Sequence, residues 1–462
     1  MNENTTIAAL ATAQGVGGIG IIRVSGKEAV PIASKVFRSP SGKTLDSRKT
    51  HTINYGHVVD PSTGEVLDQA LFMLMRAPHT YTGEDTVEIQ CHGGPYVEEK
   101  ILELLVKCGA RPADRGEFSK RAFLNGKMDL SQAEAIMDLI QSNSQMSHKA
   151  SVEQLSGRLT REVDLERENL LELTTMIEAN IDYPEYDVEE VTYEHLLTSI
   201  DEILRSLEKL YATSESGIRI REGVRTAIIG SPNVGKSSLM NRILGRDRAI
   251  VTHIAGTTRD VIEESVDFFG IPLRLADTAG IRSTEDTVEK IGVDLAREAA
   301  AQADLLLYVL DATEFMEASP ELSLLDEEIM QQKPILLLAN KEDLLDGSAE
   351  RPSKLHGHDI LWISALTGEG LEELGQSIRQ LFFEGEVEVS GHPMITNVRQ
   401  KEALYRAIQA LKAAREAAET GLPEDIIMID LTEAYDSLGE ISGRSLRSDV
   451  IDEIFKRFCL GK

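Results

Sequence analysis

The spacing of apolar residues predicts a mixed α/β region at the start of the chain. Four runs rich in β-branched and other apolar residues predict strands, at 18–24, 51–59, 66–75 and 86–92. A helix is predicted at 96–109, because apolar residues recur there at intervals of three and four and Gly109 lies just past the last turn. We therefore expect an α+β domain over residues 1–118.

Two other regions are helical by the same criterion. The first carries apolar residues that fall largely on one helical face, at Leu155, Leu159, Val163, Leu170, Leu173, Ile177 and Ile181. Pro184 interrupts this pattern, and a second helix follows in HLLTSIDEILRSLEKLYA. Near the end, helices are predicted in VRQKEALYRAIQALKAAREAAE and at 425–438 and 446–459. Because each amphipathic segment needs a partner, we expect residues 119–216 and 384–462 to form one discontinuous helical domain.

Residues 217–383 alternate predicted strands and helices, and they open with a phosphate-binding pattern. A strand at 224–229 leads into Gly230-x-x-x-x-Gly235-Lys236-Ser237, and a helix follows, which is the context that a P-loop requires. Glycines let backbone N–H groups turn toward phosphates, and the helix N-terminus adds positive charge. We expect Lys236 to reach the β- and γ-phosphates and the Ser237 hydroxyl to hold Mg²⁺.

Three further motifs indicate that the nucleotide is GTP, bound by a P-loop GTPase domain inserted between the helical segments. In DTAG, Asp277 can support Mg²⁺ and the Gly280 N–H can approach the γ-phosphate. In NKED, Asp343 can accept hydrogen bonds from guanine N1–H and N2–H₂, a pair of donors that adenine lacks. A backbone N–H in Ser364-Ala365-Leu366 can meet guanine O6.

Between the first two motifs lies TxxxGTTRD, in which Thr258 is predicted to ligate Mg²⁺ together with Ser237. The predicted GTP-binding residues are Asn233, Val234, Gly235, Lys236, Ser237, Ser238, Thr252, His253, Ile254, Ala255, Gly256, Thr257, Thr258, Asp277, Thr278, Ala279, Gly280, Asn340, Lys341, Asp343, Ser364, Ala365 and Leu366.

The predicted hydrolytic machinery differs from that of many small GTPases. Those proteins place a glutamine after DTAG to orient the attacking water, whereas this chain has Ile281. The nearby acidic candidates for this role are Glu285, Asp286 and Glu289. Asn233 brings a neutral oxygen into the P-loop, so a monovalent cation held there could supply the charge of an arginine finger. The alternative is that Asn233 only forms a turn after Pro232.

The overall composition limits the classes of function. There are 48 Lys+Arg against 77 Asp+Glu, a formal net charge of -29, so the surface should repel nucleic acid unless a local patch or a partner supplies positive charge. Solubility alone could also explain this acidity. Three cysteines are too few and too scattered for a disulfide framework or a zinc site. With no apolar run of membrane-spanning length and no secretory pattern, we expect a cytoplasmic protein without a membrane anchor.

Several stretches together resemble the tRNA wobble-uridine modification GTPases of bacteria and organelles. They are GSPNVGKSSLMN, AGTTRD, DTAGIR, YTGEDTVEIQCHGG, FLNGKMDLSQAEAI and the terminal FCLGK, so the resemblance covers nearly the whole chain. It implies an N-terminal folate-binding and dimerisation domain, a discontinuous helical domain and an inserted G domain. It also implies a homodimer that works with a flavin-dependent subunit and a one-carbon tetrahydrofolate, in the methylene or formyl form. Together they would add a carboxymethylaminomethyl-type group to carbon 5 of the wobble uridine of certain tRNAs.

The resemblance also implies roles for individual residues. K⁺ would be surrounded by Asn233, Thr252, the backbone of Ile254 and Thr257, and its binding would let G domains dimerise and activate hydrolysis. Glu289 would orient the attacking water through a bridging water. The folate would be bound by Arg23, Glu88, Lys127 and Lys462.

The cysteine in the terminal FCLGK has competing interpretations. A prenylation box does not fit, because Gly461 and Lys462 occupy positions where an aliphatic residue and a residue such as Ser, Met or Leu are required. The resemblance suggests that Cys459 serves the modification chemistry as a catalytic residue, with Lys456 or Lys462 as the nearby cation that a reactive thiol needs. A cysteine at a helix end without a chemical role is the alternative.

Two other classes of function fit the sequence less well. A regulatory GTPase of ribosome assembly usually carries a basic RNA-binding module after the G domain, but residues beyond 382 are helical and lack a GxxG clamp or an aromatic RNP pattern. A membrane-associated GTPase needs a basic amphipathic helix or a lipid anchor, and the sequence shows neither.

Overall fold

The computed structural model describes most of the chain, namely residues 5–182, 193–246, 263–276, 299–317, 332–346, 351–355, 357–383 and 393–462. The chain divides into two compact units, Met1–Met137 with Ser442–Lys462, and Asp138–Ile441. The domain boundaries predicted after residues 118, 216 and 383 rest on the sequence pattern and stay predictions.

A mainly antiparallel sheet forms the centre of the first unit. Its strands are β1 (Ile7–Leu10), β2 (Gly20–Ser25), β3 (Phe37–Arg38), β4 (Thr52–Val59), β5 (Val66–Met75), β6 (Thr86–Cys91) and β7 (Arg111–Pro112). Their order in the sheet is β3-β4-β5-β6-β2-β1-β7, and β1 pairs in parallel with β7. The four predicted strands are therefore present, within two residues of their predicted ends.

The helices α1 (Ala29–Val36) and α2 (Pro95–Lys107) cover one face of this sheet. The N-terminal segment of the unit also contains the helices α3 (Glu117–Leu124) and α4 (Leu130–Gln141), the last of which continues into the second unit. Ile22 and Val24 of β2 pack with Phe72 of β5 in the core under α1 and α2. Side chains alternate between the two faces of a strand, and in β4 the exposed Ile53 and Tyr55 alternate with the buried Asn54.

A mainly parallel sheet forms the centre of the second unit. Its strands are β8 (Val224–Gly230), β9 (Glu263–Phe268), β10 (Ile271–Ala276), β11 (Leu305–Asp311), β12 (Ile335–Asn340), β13 (Lys354–Leu355) and β14 (His358–Ile363). The order is β13-β14-β12-β11-β8-β10-β9, with β9 and β13 antiparallel to their neighbours. β11 and β12 are buried along their whole length, as expected for central strands of a sheet that is covered on both faces.

The helices of the second unit flank this sheet in the sequence. Before it come α5 (Gln145–Leu155), α6 (Arg158–Asp182), α7 (Tyr193–Ala212) and α8 (Ser214–Glu222). Within and after it come α9 (Lys236–Arg246), α10 (Ala312–Glu317), α11 (Leu371–Phe383), α12 (Val398–Glu419) and α13 (Glu424–Ser442).

The two helical segments share one hydrophobic core. Val163 of α6 and Ile200 of α7 are fully buried in the same cluster as Leu404 of α12 and Leu431 of α13. This packing confirms the prediction of a discontinuous helical domain that contains an inserted α/β domain.

Two element boundaries differ from the predicted pattern. The apolar stripe that begins at Leu155 is divided between α5 and α6, because Gly157 adopts a φ of 75° and turns the chain between them. The last helix, α14 (Ser448–Lys456), ends before residue 459, so Cys459 lies outside it. Within the described ranges, no helix combines the length and the hydropathy of a membrane span.

Candidate nucleotide site and a second charged cluster

Three backbone positions shape the phosphate-binding loop between β8 and α9. Gly230, Asn233 and Gly235 have φ angles of 151°, 65° and 99°, which glycine and asparagine tolerate better than other residues. A Cβ at Gly230 would lie 2.3 Å from the carbonyl oxygen of Val309, and one at Gly235 would lie 2.2 Å from Nδ2 of Asn340. The loop therefore requires glycine at both positions, and Asn233 forms a turn, in agreement with one of its two interpretations.

Lys236 closes this loop at the first residue of α9. Its Nζ donates hydrogen bonds to the carbonyl oxygens of Gly230 at 2.9 Å and of Ser231 at 2.7 Å. Burial lowers the pKa of Lys236 below its ordinary value. A partly desolvated ammonium thus lies beside the positive end of the helix, and both features favour an anionic phosphate.

Asn340 connects three of the predicted motifs. Its Nδ2 donates to the carbonyl oxygen of Val234 in the P-loop at 2.8 Å, and its Oδ1 accepts from the backbone N–H of Ala365 at 2.9 Å. Only 2% of Asn340 is exposed, so its side-chain amide makes these two hydrogen bonds in place of hydrogen bonds to water. Asn340 therefore fixes the phosphate-binding loop relative to the turn predicted to meet guanine.

The predicted guanine-binding groups lie together at the ends of β12 and β14. The hydroxyl of Ser364 donates to Oδ1 of Asp343 at 2.6 Å, and the backbone N–H of Thr367 donates to the Ser364 hydroxyl at 3.0 Å. Ser364 is fully buried, whereas the side chain of Leu366 is 77% exposed. These bonds orient the Asp343 carboxylate at the carboxyl edge of a parallel sheet, where ligands of this fold class bind.

Asp311, at the end of β11, contacts the predicted site residue Lys341 and is not among the residues predicted from the sequence. Its Oδ2 accepts from Nζ of Lys341 at 2.6 Å, and its Oδ1 accepts from the backbone N–H and the hydroxyl of Thr313. Burial alone would raise the pKa of Asp311, but the hydrogen bonds from Lys341 and Thr313 hold it below its ordinary value. The signal that could have found it is an aspartate that ends the apolar run LLLYVLD at the same sheet edge.

The other predicted positions divide into two groups. Ser237 and Ser238 lie in the first turn of α9, beside Lys236. Outside the described residues lie Thr252, His253, Ile254, Ala255, Gly256, Thr257, Thr258, Asp277, Thr278, Ala279, Gly280 and Glu289.

A second charged cluster lies in the first unit and contains three of the four predicted folate-binding residues. Arg23 and Glu88 are paired across β2 and β6, with Nε and Oε1 2.8 Å apart. The Arg23 guanidinium also donates to the carbonyl oxygen of Gly461 at 3.2 Å, which brings the C-terminal segment to the sheet. Burial and the neighbouring Arg23 lower the pKa of Lys462.

Aromatic rings complete the surroundings of Arg23. Its guanidinium carbon lies 5.5 Å from the ring centroid of Tyr81 and 5.6 Å from that of Phe118. The fourth predicted folate residue, Lys127, donates from Nζ to the carbonyl oxygen of Pro78 at 2.8 Å, on the same loop that supplies Tyr81. Phe118 is fully buried and supports Arg23 from below, whereas Tyr81 is partly exposed, so the cluster combines cations with one accessible aromatic ring.

Cys459 is exposed and lies in the turn that leads to this cluster. Its carbonyl oxygen accepts from the backbone N–H groups of Gly116 and Lys462, both at 3.3 Å. The preceding Phe458 is buried against Phe455 and anchors the segment. The thiol is therefore accessible while its backbone is held in place.

Comparison with known proteins identifies the family. A family model described as the MnmE helical domain matches residues 130–459, and one described as the GTP-binding protein TrmE N-terminus matches residues 6–127. The tRNA modification GTPase MnmE of Acetivibrio thermocellus is 47% identical over 464 residues, which cover 100% of both chains. The chain belongs to the MnmE family of tRNA modification GTPases. The predicted family and the predicted GTP-hydrolysing activity are thereby confirmed.

A second relative agrees with this assignment. The tRNA modification GTPase MnmE of Thermoanaerobacter pseudethanolicus is 48% identical over 462 residues, which cover 99% of each chain. Among solved structures, the FeoB G-domain from Methanococcus jannaschii is 28% identical and covers 34% of this chain and 96% of its own, with a TM-score of 0.26.

Proposed function

We propose that this chain uses GTP hydrolysis to support the addition of a carboxymethylaminomethyl-type group to carbon 5 of the wobble uridine of tRNA. The observation that carries the proposal is the 47% identity to a tRNA modification GTPase over the whole chain, which extends far beyond the GTP-binding motifs. The Asp343–Ser364 pair supports guanine as the base, since its carboxylate is oriented by a buried hydroxyl.

In the nucleotide site, the chain's own residues bind and orient the reacting groups. Lys236 and the first turn of α9 bind the phosphates, and Ser237 and Thr258 hold Mg²⁺. When bound, Mg²⁺ neutralises charge on the β- and γ-phosphate oxygens. Glu289 orients the attacking water through a bridging water, in place of the glutamine that Ile281 replaces.

Potassium is the second proposed ion at this site. Asn233, Thr252, the backbone of Ile254 and Thr257 surround K⁺, which supplies positive charge beside the phosphates as an arginine finger would. The position of Asn233 within the loop supports this role, because its amide oxygen is the type of ligand that such an ion prefers. We further propose that K⁺ binding lets the G domains of a homodimer associate and activates hydrolysis.

The charged cluster of the first unit is the proposed site of one-carbon tetrahydrofolate. Arg23, Lys127 and Lys462 bind the glutamate carboxylates, and Glu88 accepts hydrogen bonds from the pterin. The Tyr81 ring beside Arg23 supports this assignment, because it is partly exposed and offers apolar surface to a planar ligand. The exposed Cys459 thiol is proposed to serve the modification chemistry close to this site.

A flavin-dependent subunit is the proposed partner in the cytoplasm. It would supply redox chemistry and, given the net charge of -29, much of the positive surface that tRNA requires. The experiment is nucleoside mass spectrometry of bulk tRNA from a host that lacks its own copy of the gene. The host carries wild type, Cys459→Ser, Arg23→Met or an empty vector.

The outcomes separate the parts of the proposal. We expect wild type to restore the 5-substituted wobble uridine, and both variants to reduce it at least about tenfold. If Cys459→Ser restores it fully, the cysteine has no chemical role. If wild type restores nothing while it hydrolyses GTP, the proposed substrate is wrong.

A further inference from the structure

The β9–β10 hairpin connects the motif that contains the predicted Mg²⁺ ligand Thr258 to the DTAG motif, whose Gly280 N–H is predicted to approach the γ-phosphate. β9 starts at Glu263, with two residues between it and Asp260 of TxxxGTTRD, and β10 ends at Ala276, immediately before Asp277 of DTAG. In GTPases, segments that contact the γ-phosphate rearrange when it is released. Any displacement at either motif therefore reaches this hairpin through only three peptide bonds on one side and one on the other.

The turn of the hairpin has an unfavourable backbone conformation. Phe269 and Gly270 form a two-residue turn with φ angles of 52° and 86°. Such a turn favours Asn, Asp or Gly at its first position, whereas here a bulky aromatic residue occupies it. A conformation of this kind persists only where surrounding contacts impose it, and such residues concentrate at functional sites.

Two helices from other parts of the unit impose that conformation. At the start of α5, the backbone N–H of Gln145 donates to Oδ2 of Asp267 at 2.9 Å, and that of Met146 donates to the carbonyl oxygen of Gly270 at 3.2 Å. Oδ1 of the same aspartate accepts from the Gly270 N–H at 2.5 Å. The N–H groups of Gln145 and Met146 belong to the first turn of α5, where a helix leaves such groups without partners inside the helix.

The second helix holds the other residue of the turn. Arg379 of α11 donates from Nη2 to the carbonyl oxygen of Phe269 at 3.0 Å. The Phe269 ring packs edge-on against Phe268, and it lies so close to Gly375 that a Cβ there would be 3.0 Å from it. Both carbonyl oxygens of the turn are thus bonded to elements outside the hairpin.

Packing extends this connection into the helical core. Met146 and Ala150 of α5 are buried in the same hydrophobic cluster as Val266 and Phe268 of β9. After the turn at Gly157, α6 continues into the helical core through Leu159 and Val163. A contiguous set of packed elements therefore runs from the hairpin to the core that α6, α7, α12 and α13 share.

We propose that the β9–β10 hairpin transmits the nucleotide state of the GTP site to the helical domain through α5, with Asp267 and Arg379 as positioning residues of the joint. This inference rests on the proposed function, because it describes how GTP hydrolysis would act on the helical domain. A strained turn held by contacts from two helices can shift between two arrangements when the strands on either side of it are pulled.

Hydrogen exchange of the full chain tests the proposal. Exchange of the α5 amides is measured with GDP and with a non-hydrolysable GTP analogue, both in saturating Mg²⁺ and K⁺. We expect the wild-type exchange rates to differ at least about threefold between the two states, since local opening reports the stability of the segment. Asp267→Ala is expected to remove this difference, while its rate of GTP hydrolysis stays within about twofold of wild type, because Asp267 contacts α5 rather than the predicted nucleotide-binding residues.

Two further variants guard against a merely structural effect. Asp267→Asn keeps an oxygen acceptor for α5 and should restore at least half of the difference. Glu264→Ala removes an exposed carboxylate from the same strand and should leave the difference intact. If Asp267→Ala does not fold, Arg379→Met, which removes the bond to the Phe269 carbonyl, is expected to reduce the difference instead.

Modified nucleosides, measured in the same variants, distinguish this inference from the proposed function. We expect Asp267→Ala to lower the modified uridine at least about threefold while hydrolysis continues. Wild-type α5 exchange that is the same in both states, or a full difference in Asp267→Ala, overturns the inference. If wild type shows the exchange difference but modifies no tRNA, the inference stands and the proposed function fails.

Discussion

Contiguous motifs build the nucleotide site of the second unit, whereas single residues from distant parts of the chain build the Arg23 cluster of the first. In the nucleotide site, Gly230 to Lys236 form one loop, and Asn340 and Asp343 lie within four residues of each other. In the cluster, Arg23 bonds to Gly461, a residue 438 positions away. Backbone geometry specifies the first site locally, while the second exists only when the C-terminal segment is in place.

The largest expected effect tests how far the nucleotide site depends on one buried side chain. Asn340→Ala removes the bonds to Val234 and Ala365 and leaves both backbone groups buried. Each unsatisfied group costs about 1–3 kcal/mol, so we expect GTP affinity to fall at least about a hundredfold. Titration with a fluorescent GTP analogue measures this loss.

Asn397→Ala is the matched control for that experiment. Asn397 caps α12 by accepting a hydrogen bond from the backbone N–H of Gln400 at 2.8 Å, far along the chain from the GTP motifs. It should cost about 1 kcal/mol of stability and leave GTP affinity unchanged. Equal loss of affinity in both variants would mean that the Asn340 effect is only a loss of folding.

The next largest effect concerns the specificity for the base. Asp343→Asn replaces an oxygen acceptor with an N–H donor, so guanine loses one of its two predicted hydrogen bonds. We expect GTP affinity to fall at least about thirtyfold and xanthosine triphosphate to become the better ligand, because a site built for one donor pattern rejects another. Competition binding with both nucleotides checks this. Unchanged preference for GTP would remove Asp343 from the site.

A medium effect is expected when the C-terminal segment is displaced from the Arg23 cluster. Gly461 has a φ of 87°, and a Cβ there would lie 2.2 Å from the carbonyl oxygen of Leu10. Gly461→Ala should therefore lower tetrahydrofolate affinity about tenfold, as expected for a strain of about 1–3 kcal/mol, without changing GTP affinity.

Gly421→Ala is the control for this test, because it places a side chain at a similar φ without a collision. Gly421 has a similar φ of 70°, but no heavy atom lies within 4 Å of a Cβ built there. It should leave folate affinity at the wild-type value in the same calorimetric titration. If Gly461→Ala also retains that affinity, the C-terminal segment is not part of the folate site.

Part of the geometry of both sites follows from the sequence, and part depends on the fold. The proximity of Asp343 and Ser364 was predictable, because the carboxyl ends of parallel strands meet at one edge of a sheet. The connecting role of Asn340 was not, since it depends on which strands are neighbours. Asp311 was detectable only as an aspartate that ends an apolar run. Arg23, Glu88 and Lys462 look like surface charges in the sequence, and only the resemblance to a family singled them out.

The smallest expected effect is common to both sites, because burial lowers the pKa of Lys236 and of Lys462. A lysine with a lowered pKa loses its charge at a lower pH than an ordinary lysine does. As pH rises, binding of phosphate or carboxylate should therefore start to weaken at pH values below the ordinary pKa of 10.5. Without ligand the sign is opposite: stability is lower at neutral pH and increases as pH rises through the lowered pKa toward 10.5. Denaturant unfolding of wild type and Lys462→Met across this range checks the second part. Parallel curves would contradict it.

The division of the first unit between the two ends of the sequence has a consequence for protein synthesis. Residues 138–441 leave the ribosome before residues 442–462 do, yet the latter complete the unit that begins with residues 1–137. A domain whose residues are contiguous can fold while translation continues. The first unit can instead be completed only after residues 442–462 have been synthesised. The Arg23 cluster would therefore be absent from a nascent chain and would form only after translation has passed Gly461.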